Sequence, residues 1–345
     1  MARMKGVVFT SLRSAVPALI MMTGSEAGAA TPTPVVMGLP PETVTVTAVK
    51  PSETVIQSYI EKRMAPTRVL GRLPRWIKKM CPQTVGLGAV YAKYITQRIR
   101  NIATAVEAPL DPDLTCKPNV EVIFTTTPQA LMDNVRKKQP ILLGYHDNLR
   151  KADQQAQVTQ PVQAWYTTES MDIDGARNVD SGRCSSEHTV TIGDPGTSAG
   201  GNLPGPGAEM GPAEPLQLTL PCAIVVHSNG FRAHDGLSSG LFNVIIVAEP
   251  AKLYDYEIGS LADYIAMLAL SQPPSQDTCQ DLPSISNLLA QGCAAARAAS
   301  HITDGDLAYL RGLYKMPEGA GLAAQINQLR YQMNKTLVTD KGGQN

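Results

Sequence analysis

Two short segments carry the spacing of an acyl-transfer nucleophile, Gly196-Thr197-Ser198-Ala199-Gly200 and Gly236-Leu237-Ser238-Ser239-Gly240. In a G-x-S-x-G elbow the serine needs a strand before it and a helix after it, which expose Oγ above the helix N-terminus. The first segment lies in a Gly/Pro-rich stretch, and the second runs straight into a strand pattern. Neither meets the requirement. Of the five histidines, His227 and His234 with Asp235 could reach one metal ion across a hairpin, but no third ligand is near. No helix pattern carries histidines four residues apart, so they read as strand-end and turn residues. Asp255, Glu257 and Asp263 read as charges at a helix N-terminus, favoured there by the macrodipole. No phosphate loop or dinucleotide fingerprint occurs. On these grounds no catalytic, metal or cofactor-binding residue is assigned, and no cofactor is expected.

The cysteines point to a compartment. Residues 1–29 have Arg3, Lys5 and Arg13, an apolar run over 14–22, and small residues around Ala27 and Ala29. Those are the three regions of a cleavable secretion signal. A membrane anchor needs about 20 apolar residues, and here Arg13 and Pro17 interrupt the run. No transmembrane span is expected in the mature chain. The six cysteines, Cys81, Cys116, Cys184, Cys222, Cys279 and Cys293, all follow the leader. An even count in an exported chain suggests disulfides, although pairing does not follow from number alone. Cys81 and Cys116 flank one helix pattern, and Cys279 and Cys293 flank a short loop. Those two pairs are favoured, with Cys184–Cys222 tying down the loop between. No C-x-x-C spacing supports a structural zinc.

Charge excludes one partner class. The formal net charge is zero, and removal of the leader leaves the chain slightly acidic, against a general nucleic-acid partner. Lys62, Arg63, Arg68, Arg72, Arg75, Lys78 and Lys79 run the other way, around Trp76. The run reads as a solvated segment whose long stems cover apolar surface, with an anionic docking patch as the alternative.

Periodicity supplies the elements that would position any site. Residues 30–55, rich in Pro, Thr and Val, read as an extended lead-in. Apolar residues at helical spacing predict a helix over 90–106. Residues 120–126 (VEVIFTT) predict a strand, and Pro128 opens a helix to 138. Further strands are predicted at 162–168, 222–227 and 242–248, the last two as a hairpin. Residues 191–215, with seven glycines and five prolines, read as a surface excursion. The chain then turns helical: 258–271, apolar over most of its circumference; 303–314, with the capping pattern Thr303-x-x-Asp306; and 322–333. This layout is α+β. It gives a leader at 1–29, a lead-in at 30–55, one domain at 56–335 and a tail at 336–345.

Several segments together resemble a family of uncharacterised bacterial exported proteins. They are Cys81-Pro82 with Gly86-Leu87, Cys116 to Val120, 162–166 (VQAWY), 261–270 (LADYIAMLAL), 283–288 (PSISNL) and 303–314 (TDGDLAYLRGLY). The family implies no established activity. A more distant resemblance is to metzincin-type zinc peptidases, in which H-E-x-x-H sets two imidazoles on one helix face with a glutamate between them. Ala262 and Ala266 stand at the histidine positions, Asp263 at the glutamate position, and Ser284-Ile285-Ser286 resembles the turn beneath the metal. Alanine holds no zinc. The resemblance implies a zincin-like mixed sheet without a metal centre: a periplasmic or secreted pseudoenzyme that binds a peptide, a partner protein or an envelope component. The alternatives are a hydrolase with an unrecognised site and a structural envelope protein.

Overall fold

A computed structural model describes residues 51–172, 175–180, 188–192, 216–220, 236–294 and 297–339. Within them lie seven α-helices and a five-stranded mixed sheet. The strands are β1 (Pro82–Val85), β2 (Val120–Phe124), β3 (Val162–Met171), β4 (Arg177–Val179) and β7 (Ser238–Ala248). Their spatial order is β1-β2-β7-β3-β4. β1, β2 and β7 run parallel, whereas β3 is antiparallel to β7 and β4 to β3. A separate ribbon pairs β5 (His188–Ile192) with β6 (Leu216–Leu220).

Strand alternation sends successive side chains to opposite faces of the sheet. Val120, Val122, Val244 and Ile246 enter the larger core. There they meet α1 (Glu53–Arg63), α2 (Ala89–Ala105), α5 (Ile258–Leu270), α6 (Asp304–Tyr314) and α7 (Leu322–Asn334). Ile123, Trp165, Ile245 and Val247 enter a smaller core on the other face. It is closed by α3 (Pro128–Lys138), the 3-10 turn Pro140–Leu143 and α4 (Leu149–Gln155). The chain is therefore α+β, with its C-terminal region helical, as the periodicity predicts.

Local chemistry explains the boundaries. Pro128 sits at the first position of α3, where its missing N–H costs nothing. Asn148 caps α4 by accepting from the Lys151 N–H at 3.0 Å. At α6 the Thr303 hydroxyl accepts from the Asp306 N–H and the Asp306 carboxylate accepts from the Thr303 N–H, the reciprocal capping box expected from sequence. Cys81–Cys116 and Cys279–Cys293 are disulfides, as favoured. Cys184 and Cys222 lie outside the described residues.

Several expectations need correction. The lead-in does not reach residue 55, because α1 starts at Glu53 behind a Ser52 cap. The tail does not start at 336: a π-turn covers Lys335–Thr339, and Leu337 and Val338 pack against the core. The excursion drawn from 191 begins inside β5. A hairpin of 222–227 with 242–248 is displaced because β7 already has β2 on one edge and β3 on the other. Residues 222–227 themselves lie outside the described residues.

The largest correction concerns the basic run. Arg63, Arg72 and Arg75 are buried, and so is Trp76. Arg75 donates to the Leu313 and Met316 carbonyls at the end of α6, at 3.1 and 2.5 Å. These are the orphan acceptors every helix C-terminus leaves. Burial pulls the Arg75 pKa down. Arg72 serves the Leu237 and Gly319 carbonyls, and Trp76 Nε1 donates to Ala269 O in the last turn of α5. Arg68, Lys78 and Lys79 are exposed, as expected; the three buried arginines are internal wiring, which spacing alone does not reveal.

Candidate functional site

Residues Ser260–Leu270 of α5 are all buried, and Ala262 and Ala266 have no exposure. Ile285, from the turn resembling the zincin one, packs in the same core. No cleft opens at the two alanines. Asp263 is not an N-terminal helix charge: it lies a turn inside α5, fully buried, where Arg98 of α2 grips it through Nε and Nη2. The same carboxylate accepts from the Ile302 N–H at 2.8 Å, and exposed His301 stands 3.9 Å away. Every polar atom there is used for structure. Asp255 and Glu257, in contrast, are exposed ahead of α5, with Glu257 at its N-cap position.

The serine and histidine candidates do not converge. Ser238 begins β7, and its Oγ accepts from the Gly319 N–H at 2.8 Å. A strand follows it, so the elbow geometry is absent. His146 holds the Gly144 carbonyl through Nδ1 at 2.8 Å. Ser198, His227 and His234 lie outside the described residues, and of His188 only the backbone is described. Among the described residues no group of three His, Cys, Asp or Glu could hold a metal ion.

An open site lies elsewhere, on the edge of β3. Strand β4 covers only Glu169–Met171 of β3, so the strand's first half has no neighbouring strand on that side among the described residues. On the other side Glu249 N donates to Pro161 O, which places Gln163, Trp165 and Thr167 as the residues bonding to β7. Val162, Ala164, Tyr166 and Thr168 therefore turn their backbone groups outward. Asp180 N takes Thr168 O at 3.0 Å. At the opposite end the Gln276 side chain stands in for a strand. In the amide orientation that satisfies both groups it donates to Val162 O at 3.0 Å and accepts from the Ala164 N–H at 2.9 Å. Between these two ends, no strand or side chain among the described residues takes the Ala164 carbonyl or the Tyr166 N–H.

This stretch of edge floors a cavity of about 500 Å³. One wall comes from Tyr145, Gln154 and Gln155, and the other from Gln272 to Asp277, just beyond α5. Pro66 to Arg68 close one side. Gly144 allows the first wall to approach: its φ is +92°, and a Cβ there would stand 2.6 Å from Tyr166 O. The Tyr166 hydroxyl donates to Leu268 O at 2.9 Å and Trp165 Nε1 to Gln155 O at 2.7 Å, so both aromatic rings lock the floor to its walls. Two acceptors in those walls, Gln155 Oε1 and Gln272 Oε1, are buried without a partner. No protein family, curated protein or solved structure matches the chain. The chemistry of the cleft is therefore read from its own atoms.

Those atoms suit an extended chain. Unpaired backbone groups at strand spacing accept a strand, and uncharged amide acceptors in the walls accept N–H or O–H donors. Sequence reasoning missed this cleft. The signal available was the glutamine density of 154–163, with Gln154, Gln155, Gln157, Gln160 and Gln163 in ten residues.

A second constellation sits on the smaller-core face of the sheet. By alternation Glu121 of β2 and Asn243 of β7 share the face of Ile123 and Ile245. Both are buried, and neither Glu121 oxygen nor either Asn243 amide atom has a partner. Burial alone pushes the Glu121 carboxyl up to about 8. Burial also raises the Glu169 carboxyl on β3, but Arg177 holds it at 2.6 Å and pulls the other way.

Proposed function

We propose that the chain is a non-catalytic peptide-binding protein that takes an extended peptide as an added strand on the free edge of β3. The observation that carries this reading is the Gln276 side chain. It satisfies Val162 O and Ala164 N as a neighbouring strand would, beside backbone groups that no other described residue occupies. A side-chain amide is a weaker partner than a continuous ladder, so a peptide backbone can displace it. The open stretch from Val162 to Tyr166 spans about 13 Å, enough for about four residues.

The zincin resemblance supports the same reading. In that arrangement the active helix lies below a peptide-binding edge strand. Here α5 follows β7, packs under the sheet, and ends beside the β3 edge. With methyl groups at Ala262 and Ala266, the helix would keep the scaffold and lose the metal. Export to the periplasm or beyond belongs to this proposal, supported by the two disulfides, which persist in oxidising compartments. The ligand would then be a segment of an envelope or secreted protein.

Backbone amide exchange on purified protein tests the reading. Adding peptides selected from a display library should slow exchange at Tyr166 at least tenfold, because its N–H enters a ladder. Ala164→Pro removes an outward N–H that β7 does not use, so the fold should survive while binding falls at least tenfold. Gln276→Ala removes the internal competitor and should tighten binding a few-fold. Peptides that bind without slowing Tyr166 would refute strand addition.

A further inference from the structure

Arg63, at the end of α1, is 2 % exposed. Its two Nη atoms donate to neutral hydroxyls, Ser286 Oγ and Ser271 Oγ, and its Cζ lies 5.4 Å from the centre of the Tyr309 ring. Nε has no partner. Among the described residues no carboxylate ion-pairs with it, in contrast to Arg98, Arg136 and Arg177. A guanidinium withdrawn from water without a counter-charge is costly, by several kcal/mol before its hydrogen bonds are counted. Such a cation stands ready for an anion.

A small chamber lies against it, lined by Arg63, Tyr264, Gln276, Thr278, Gln280 and Ser286. Its volume is about 10 Å³, room for one water-sized sphere. Gln280 Oε1 is buried there without a partner as well. Pro273, Ser275 and Gln276 line both this chamber and the 500 Å³ cleft. That segment is thus a wall shared by the two spaces, and Gln276 is its member bonded to β3. A strand that displaces Gln276 from Val162 and Ala164 would move one member of that shared wall.

Resting on the peptide-binding reading, we infer that the bound peptide brings a carboxylate to Arg63, placed where its strand meets the Gln276 end of the β3 edge. The Nε–H supplies a charge-assisted hydrogen bond, and the buried setting strengthens the pairing. The carboxylate's source is the peptide's own C-terminus or an acidic side chain at that position. Arg63 would act as a specificity residue: it selects an anion, and the β3 edge supplies the sequence-independent part of binding.

The test offers immobilised protein three pools of random hexapeptides without internal Asp or Glu. One pool ends in a free carboxylate, one is amidated, and one is amidated with Glu fixed at the last position. Retained peptides are quantified by mass spectrometry. A free-acid pool retained at least tenfold over the plain amidated pool supports the inference with the C-terminus as source. Tenfold retention of the Glu pool over that same pool supports it with a side chain as source. Equal retention of all three overturns the Arg63 inference and leaves strand addition standing. Retention of none overturns both. Arg63→Lys, which keeps the charge and alters the fork, should compress the preference several-fold with little change in the plain amidated pool. An unchanged preference would take Arg63 out of the site.

Discussion

Asp306 and Glu121 are both buried carboxylates, and they stand on opposite faces of one sheet. Asp306 accepts from the Tyr59 hydroxyl at 2.6 Å, the Ser284 hydroxyl at 2.5 Å, the Ile285 N–H at 2.9 Å and the Thr303 N–H at 3.0 Å. Glu121 accepts from nothing. On the helical face every buried charge of α5 and α6 is spent on holding a neighbouring segment: Asp263 joins α2 to residue 302, and Asp306 joins α1, the 284–286 turn and its own N-terminus. On the other face, and around the β3 cleft, polar atoms are buried with no partner. Completion marks the α5–α6 network; on the same face Arg63 Nε and Asn334 Oδ1 have no partner among the described residues, as Glu121 and Asn243 have none on the other.

The first way to break this contrast is Asp306→Ala. It orphans four donors at once, so stability should fall by about 4 kcal/mol, measured by denaturant unfolding. A loss below about 1 kcal/mol would mean the network is ornamental. Second comes Ala266→His, which places an imidazole at one of the two positions that resemble the zincin histidines. The site is filled, so the ring overpacks α5 and buries an unpaired polar group, at about 3 kcal/mol. Zinc added to the Ala262→His, Ala266→His pair should not recover the loss. Recovery would show space at the helix that the packing denies.

The last test concerns Glu121. Its folded pKa is about 8, raised by burial above the ordinary carboxylate value, so the folded state holds a proton that the unfolded chain has released. This favours folding fully below about pH 4.5, and the contribution is lost as pH rises to about 8. The slope approaches about 1.4 kcal/mol per pH unit near pH 6. Glu121→Gln should flatten that part of the stability profile and match the wild type at acid pH. An unchanged slope in the variant would place the titration elsewhere.

The sequence made α2, α3, α5, α6 and α7 legible through helical period, and β2, β3 and β7 through β-branched runs. The rest hid for identifiable reasons. Pro82 opens β1 and disguises it, although Pro is tolerated at the first residue of an edge strand. α4 is short and polar, with Ala152 as its one buried residue, so it has no stripe to read. α1 follows a Pro/Thr-rich segment and ends in the basic run. The apolar helix α5 could be read from sequence because it depends on residue types at fixed spacing. The cleft could not. It consists of backbone groups left over where β4 stops, and a missing neighbour has no sequence signature.

Gln276 has one more consequence. A free strand edge is a template on which any second chain, including another copy of the same protein, can polymerise. By occupying Val162 and Ala164 the amide shortens the exposed ladder to a few groups set within a cavity. The side chain proposed to yield to a ligand would therefore also guard the empty protein against sticking to itself.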